Sequence, residues 1–364
     1  MGLRVKVEKR VDVPKWLPAV TAIGAVILAF IIAGLIFKFI GGKPLVALRF
    51  FYQAVFGSWA AFSDTMVKAT PLIIVGLACA VAFKMRLWNI GAEGQFYAGA
   101  FGASLVVLIP IVPMNSPKIV VIGLMILMGM LFGAIWGFIP GFLKAKYNVN
   151  EIITTLMLNY IAILWNNFWI FDKWSDAGFQ MTPTFDRVAW LPRLADYAKE
   201  YKIFSGITLH MGVLFGIVAA FVVWWIFKYS RWGYEIKLIG DNPKAARYAG
   251  VNIVRNIILV MTFSGALAGL AGMSEIGGVV HRLQESISPG YGFTGIIVAW
   301  LAKLNPFMII IVSILFGGLI VAGREIQPSG LSFLLQGIIL FILISSDVLL
   351  RYKIRIVRTE EEAV

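Results

Sequence analysis

SRWGYEIKLIGDNPKAARYAGVNIVRN, residues Ser230–Asn256, is a polar stretch set between two long apolar runs. Charged residues are scarce elsewhere, and here Arg231, Glu235, Lys237, Asp241, Lys244, Arg247 and Arg255 crowd together. The stretch contains a complete signal for a short helix. Asp241 or Asn242 can cap the free N–H groups, and Pro243 suits the first helical position, where no N–H is needed. Ala245, Ala246, Tyr248 and Ala249 carry a small, partly apolar face. Gly250 can take the left-handed conformation that ends the helix. A capped two-turn helix outside a bilayer is offered to something, and the expected recipient is a soluble partner on the same side of the membrane.

The composition around this stretch sets the class. The chain has 364 residues, 60% of them hydrophobic, and only 14% are Asp, Glu, Lys or Arg, against about 25% in a soluble domain. Several apolar runs approach or exceed the roughly 20 residues that a helix needs to cross a bilayer. The formal charge of +13 would suggest nucleic acid in a soluble protein. Here the basic residues are read as markers of cytoplasmic loops, with no nucleic-acid partner. The single Cys79 lies in an apolar run, which leaves no intrachain disulfide and no cysteine metal cluster. His210 and His281 fit no metal-ligand spacing, and both are read as structural.

Upstream of the polar stretch, Arg4, Lys6, Lys9, Arg10 and Lys15 precede the apolar run 17–37. This run is longer than a signal-peptide core and is read as an uncleaved first span with a cytoplasmic N-terminus. Residues 41–64 suit an interfacial amphipathic helix. A second span is expected over 66–83. The turn that follows, 84–95, combines Lys84, Arg86, Trp88, Asn89, Glu93 and Gln95 with two glycines. Backbone this irregular belongs at the interface or against a water-filled cavity. Asn89, Glu93 and Gln95 fit either turn packing or a functional lining. Spans over 96–109 and 119–143 come next, the latter with Gly129, Gly133, Gly137 and Gly141 at steps of four, a flat stripe for close helix packing. Asn148 and Glu151 suggest a capping box. The fifth span, 152–171, holds Thr154, Thr155, Asn159, Tyr160, Asn166 and Asn167, side chains that face either a neighbouring helix or a path through the bundle.

Residues 172–208 form the longest polar segment and are expected to be an ordered external loop. The sixth span, 209–227, leads into the opening stretch. The seventh, 257–278, carries Ser264, Gly265, Ala268, Gly269 and Gly272 and ends near Glu275. That carboxylate is either functional or snorkels to the surface. Shorter or later apolar runs cover 293–301, 307–322 and 333–350. Alternating the sides gives about ten transmembrane helices, with both termini cytoplasmic, in agreement with the placement of most Lys and Arg. The fold class is therefore an all-α integral membrane protein. The sequence has no GxxxxGK[ST] loop, HExxH pair or GxSxG elbow, which removes the usual signatures of an ATPase, a zinc protease and a serine hydrolase.

Five stretches carry a family resemblance: WNIGAEGQ (88–95), VNEIITTLMLNYI (149–161), GDNPKAARYAG (240–250), SGALAGLAG (264–272) and GYGFTGIIVA (290–299). Together they resemble the membrane permease subunits of bacterial and archaeal ABC importers, in the branch of ribose, other simple-sugar and nucleoside permeases. The long segment before the sixth span is most similar to the larger permease of nucleoside-type systems. Relatives often read GNN where this chain has Gly240-Asp241-Asn242, a change that preserves capping. Lys303-Leu-Asn-Pro306 matches less well.

The resemblance implies one transmembrane permease domain over 1–364 in a type II importer-like bundle. It has a basic cytoplasmic N-terminus (1–16), an external loop (172–208), a cytoplasmic coupling loop (230–256) and a basic tail (351–364). It implies a prokaryotic plasma membrane and a nucleoside or simple sugar delivered by an extracytoplasmic binding protein. A second permease, homologous or identical, and two cytoplasmic ATPase domains would complete the complex. ATP and Mg²⁺ would sit on those partners, with no cofactor on this non-catalytic chain. Asp241, Asn242, Pro243, Lys244, Ala245, Ala246, Arg247, Tyr248 and Gly250 would form the element gripped by the ATPase. Asn89, Glu93, Gln95, Asn159, Asn166 and Glu275 are the candidate path lining. An ion-coupled secondary transporter, which would draw on carboxylates such as Glu93, Glu275 and Asp347, and a membrane scaffold are the alternatives.

Overall fold

The computed structural model describes residues 3–9, 14, 16–109, 113, 115–325 and 330–358. Arg10, Lys15 and the side chain of Asp347 lie outside the described residues. The chain divides into two compact units, Met1–Phe50 with Ala322–Val364, and Phe51–Val321.

In the first unit, strand β1 (Leu3–Lys9) precedes helix α1 (Leu17–Phe39). Ala25, Ala29, Ala33 and Phe37 recur every four residues along α1 and are buried. The partner of α1 is α13 (Leu331–Arg351), which runs directly into strand β2 (Tyr352–Arg358). β1 and β2 pair antiparallel, Leu3 opposite Arg358 and Lys9 opposite Tyr352. This ribbon adds two short strands at the basic ends of a chain that is otherwise helical. Both segments alternate apolar and charged residues with a period of two, which suits a strand and not a helix.

The second unit holds the helices that carry the polar groups. Helix α2 (Pro44–Phe56), which begins in the first unit's stretch of chain, covers the segment expected to lie at the interface. Helix α3 (Trp59–Lys84) starts earlier than expected because Ser58 caps it, its Oγ accepting from Ala61 N at 3.0 Å. Residues 67–83 of α3 are buried without a break. Then follow α4 (Ala92–Leu108), α5 (Lys118–Tyr147) and α6 (Glu151–Phe168), the last continuing into a π-helical turn, Trp169–Lys173. Asn148 does not open α6. It closes α5 in the left-handed conformation (φ 52°), and Asn150 caps α6 by accepting from Ile152 N at 2.9 Å. Glu151 pairs instead with Lys144 at 3.0 Å.

Beyond the long polar segment come α7 (Gly212–Tyr229), α8 (Arg231–Asp241), α9 (Pro243–Tyr248) and α10 (Ile253–Glu275). A π-helical turn, Ile276–Val280, extends α10, and α11 (Tyr291–Leu301) and α12 (Pro306–Glu325) follow. The core of the unit is α10 packed on α3, α4 and α5. The glycine stripe of α5 lies against glycines of α10. A Cβ on Gly133 would collide with the Gly265 carbonyl, and one on Gly269 with the Gly129 carbonyl. The two backbones thus touch, as small-residue seams allow.

Among the described residues, six helices are long and apolar enough to cross a membrane: Val20–Phe39, Trp59–Lys84, Lys118–Tyr147, Gly212–Tyr229, Ile253–Val280 and Pro306–Gly323. The chain is a multi-pass membrane protein.

Candidate functional site

The polar stretch 230–256 folds as two helices and the first turn of α10, not as one helix in a loop. Ser230 opens α8, its Oγ accepting from Gly233 N at 2.9 Å. A Cβ on Gly240 would collide with the Lys84 carbonyl oxygen, so the end of α8 rests on the end of α3. Asn256 Nδ2 donates to Glu235 Oε2 at 2.7 Å and ties α8 to α10.

Helix α9 is closed at both ends by local chemistry. Asn242 is its cap, its Oδ1 accepting from Lys244 N and Ala245 N at 3.1 Å each. Asp241 is the last residue of α8. At the other end Gly250 has φ +76°. Its N–H donates to Arg247 O at 3.1 Å, and Val251 N donates to Ala246 O at 3.0 Å. These two bonds satisfy carbonyls that a helix end otherwise leaves open. The alanines do not share one face: Ala245 is half-buried and Ala249 exposed. Ala246 is 0% exposed and turned into the protein, whereas Tyr248 is 93% exposed. Pro243, Lys244 and Arg247 are exposed beside it. Ala246 therefore seats the helix, and Pro243, Lys244, Arg247 and Tyr248 form its free surface.

The six candidate path residues are all buried. Asn89 and Gln95 form a reciprocal amide pair: Asn89 Nδ2 donates to Gln95 Oε1 at 2.9 Å, and Gln95 Nε2 donates to Asn89 Oδ1 at 3.1 Å. Asn89 also donates to Ser264 Oγ at 2.8 Å, and that hydroxyl donates to Ala78 O at 2.7 Å. The amide pair thus joins the turn after α3 to α10. Helix α4 begins at Gly91, which offers no capping side chain. Its cap comes from α6: Asn159 Oδ1 accepts from Gly94 N at 2.7 Å, and Asn159 Nδ2 donates to Ile90 O at 2.9 Å. Asn166, farther along α6, donates to Tyr97 O at 3.3 Å. Glu93 faces α11, with Oε2 accepting from Gly292 N at 2.5 Å. Glu275 lies apart from the amides and pairs with Lys68 Nζ at 3.0 Å.

Lys68 is the functional candidate that reading the sequence missed. Its signal is a lysine more than two turns inside a largely apolar helix, a costly placement in a membrane protein. The second missed feature is a clasp on the segment 172–211. Arg193 Nε donates to Gly278 O at 3.0 Å, and its Nη2 donates to Gly278 O at 2.6 Å and to Val279 O at 3.3 Å. A guanidinium thus caps the carbonyls of the π-helical turn that extends α10. Leu191 N donates to Gly277 O and Phe185 N to His281 O, each at 2.8 Å. The Trp190 and His281 rings stack at 3.8 Å with 8° between planes. Burial, reinforced by Arg193, pulls His281 down to about 4 and His210 down to about 3, so both rings are neutral near pH 7. No group of three or more His, Cys, Asp or Glu is placed to hold a metal ion among the described residues.

Residues 61–344 match the protein family described as branched-chain amino acid transport system / permease component. The chain is 30% identical to the glucose ABC transporter permease of Haloferax volcanii, over 98% of this chain and 95% of that one. It is 33% identical to the nucleoside ABC transporter permease NupB of Lactococcus lactis, over 80% of each chain. It is 32% identical to the guanosine ABC transporter permease NupP of Bacillus subtilis, over 81% of this chain and 82% of that one. No solved structure matches. With a permease family covering most of its length and these relatives beside it, the chain belongs to the family of ABC transporter permease components.

Proposed function

We propose that this permease imports a nucleoside or simple sugar, delivered by an extracytoplasmic binding protein and driven by two cytoplasmic ATPase domains that grip α9. The observation that carries this reading is the construction of α9. It is capped at both ends, seated by Ala246, and presents Lys244, Arg247 and Tyr248 outward. Movement of α9 passes through α8 to α3, where Gly240 meets Lys84, and to α10, where Glu235 meets Asn256. ATP-driven closure of the partners would then tip α3 and α10, the two helices that also carry Lys68 and Glu275. ATP and Mg²⁺ act on the partner subunits, and this chain is the non-catalytic lever.

In this reading α1, α3–α7 and α10–α13 are ten spans of a single permease domain in a prokaryotic plasma membrane, with α2 at the interface and both termini in the cytoplasm. A second permease, identical or homologous, completes the pathway. Segment 172–208 lies outside and 230–256 inside. Glu93 and Glu275 border the path, while Asn89, Gln95, Asn159 and Asn166 fasten the helices that frame it. The glucose, nucleoside and guanosine permeases among the relatives support a neutral, hydroxyl-rich solute.

The test is uptake of labelled guanosine and glucose into proteoliposomes holding this chain with its ATPase, second permease and binding protein. Uptake of one of them that requires ATP and is lost with an ATPase-dead partner supports the proposal. Uptake that persists with the dead ATPase and follows an ion gradient overturns it.

A further inference from the structure

Several elements meet around the Lys68–Glu275 pair. Lys68 Nζ lies 3.0 Å from Glu275 Oε1 and 5.9 Å from the centre of the Tyr291 ring. Glu275 is the last α-helical residue of α10, at the junction with the π-helical turn, a kind of irregularity that recurs at functional sites. The His210 ring packs on that turn: a Cβ on Gly278 would collide with it, as would one on Gly212. The same Gly212 Cβ would lie 3.2 Å from Cβ of Ser274, the neighbour of Glu275.

The tautomer of His210 follows from its hydrogen bond. Its Nδ1 accepts from Gly212 N at 3.1 Å. A ring nitrogen that accepts carries no proton, so the neutral ring holds its proton on Nε2. His210 is 3% exposed, and Nε2 has no hydrogen-bond partner among the described residues. Burial, with Arg193 and Lys68 nearby, keeps the ring neutral. A buried N–H donor left without an acceptor is destabilising. A buried ion pair is also weak support for a fold, because desolvation offsets the attraction. An unpaired donor packed on the turn that follows Glu275, and near enough for the Lys68 charge to act on its ring, fits a ligand that uses both it and the ion pair.

We infer that Lys68, Glu275 and His210 form a subsite for a vicinal diol of the transported solute, with the Tyr291 ring flanking it. An ammonium and a carboxylate within hydrogen-bond distance set a donor next to an acceptor. A vicinal diol answers this with one hydroxyl oxygen accepting from Lys68 and the neighbouring hydroxyl donating to Glu275. The Nε2–H of His210 then donates to either oxygen. The inference rests on the proposed solute class, since nucleosides and simple sugars carry such diols.

The complete transport complex in proteoliposomes tests this with guanosine against 2′-deoxyguanosine and glucose against 2,4-dideoxyglucose, the second probe of each pair lacking every vicinal diol. The binding protein is the same in every preparation, so a change in the uptake ratio between paired probes reports on the permease. Wild type is expected to favour the diol probe of the transported pair by about tenfold or more. Lys68→Met and His210→Phe should bring that ratio to near one, while His210→Gln, which retains a donor, keeps most of it. Glu275→Gln, which preserves shape, serves if Lys68→Met fails to reach the membrane, and it should also lower the ratio. A wild type without preference, or variants that reach the membrane with the wild-type ratio, overturn the subsite alone. A wild type that takes up none of the four probes overturns the solute class and the subsite with it.

Discussion

Asn256 Nδ2 donates to Glu235 Oε2 across 2.7 Å, which ties α8 to α10. Glu235→Ala removes the acceptor and leaves a buried amide of Asn256 with less to hold it. The expected result is a loss of ATP-driven uptake of about tenfold at an unchanged amount of protein in the membrane, because the bond to α10 is lost while the helices persist. Uptake and ATP hydrolysis are measured together on the complex. Hydrolysis should continue while uptake falls. Proportional loss of both would indicate damage to the ATPase contact instead.

Gly240 has no room for a side chain, since a Cβ would collide with the carbonyl oxygen of Lys84. Backbone on both sides cannot yield as a flexible side chain would. Gly240→Ala is therefore expected to destabilise the protein by about 1–3 kcal/mol through overpacking. The midpoint of thermal unfolding in detergent measures this, and a midpoint equal to wild type would show that α8 does not rest on α3 in the membrane.

Asn159 supplies from α6 the cap that Gly91 cannot supply to α4. Asn159→Leu leaves Gly94 N and Ile90 O without this partner, at an expected cost of about 1–3 kcal/mol. A drop in the unfolding midpoint checks it. If uptake is lost while the midpoint stays, Asn159 meets the solute directly and its packing role is secondary.

His281 makes stability depend on pH. Burial, then Arg193, lowers its pKa to about 4, whereas an unfolded histidine titrates near ~6.5. Between those values the unfolded chain binds the extra proton, so the contribution is complete above about pH 6.5 and is lost as pH falls towards 4. The unfolding midpoint should decline over that window. His281→Phe, which retains a ring against Trp190, should reduce the slope. His210, lowered to about 3, contributes with the same sign. A variant with the wild-type slope would remove His281 from this role.

Features carried by neighbouring residues were the ones legible in the sequence. Asn242, Pro243 and Gly250 define α9 within a few positions, because caps act over one helical turn. The glycines at steps of four mark a close-packing face for the same local reason, while its partner, α10, is set by the fold. The facing of α9 was not legible: that Ala246 points inward and Tyr248 outward depends on where α8 comes to rest. Lys68 was passed over because its partner Glu275 lies 207 positions away, and only the fold brings them together. Asn159 read as a polar helix residue, and its capping of another helix is equally non-local. The terminal strands show as an alternation of apolar and charged residues, but the same charge also suits a solvated tail, and only their pairing decides between the two.

The central claim is that α9 receives force from an ATPase, and Tyr248 is the residue placed to report it. Cys79, the chain's single cysteine, is buried, so Tyr248→Cys introduces one reactive thiol at a 93% exposed position. The measurement is cross-linking from that thiol in the assembled complex, with and without ATP. The account expects a cross-link to the ATPase subunit whose yield changes with nucleotide. A thiol that labels only from the extracytoplasmic side, or that joins no ATPase under either condition, would contradict it.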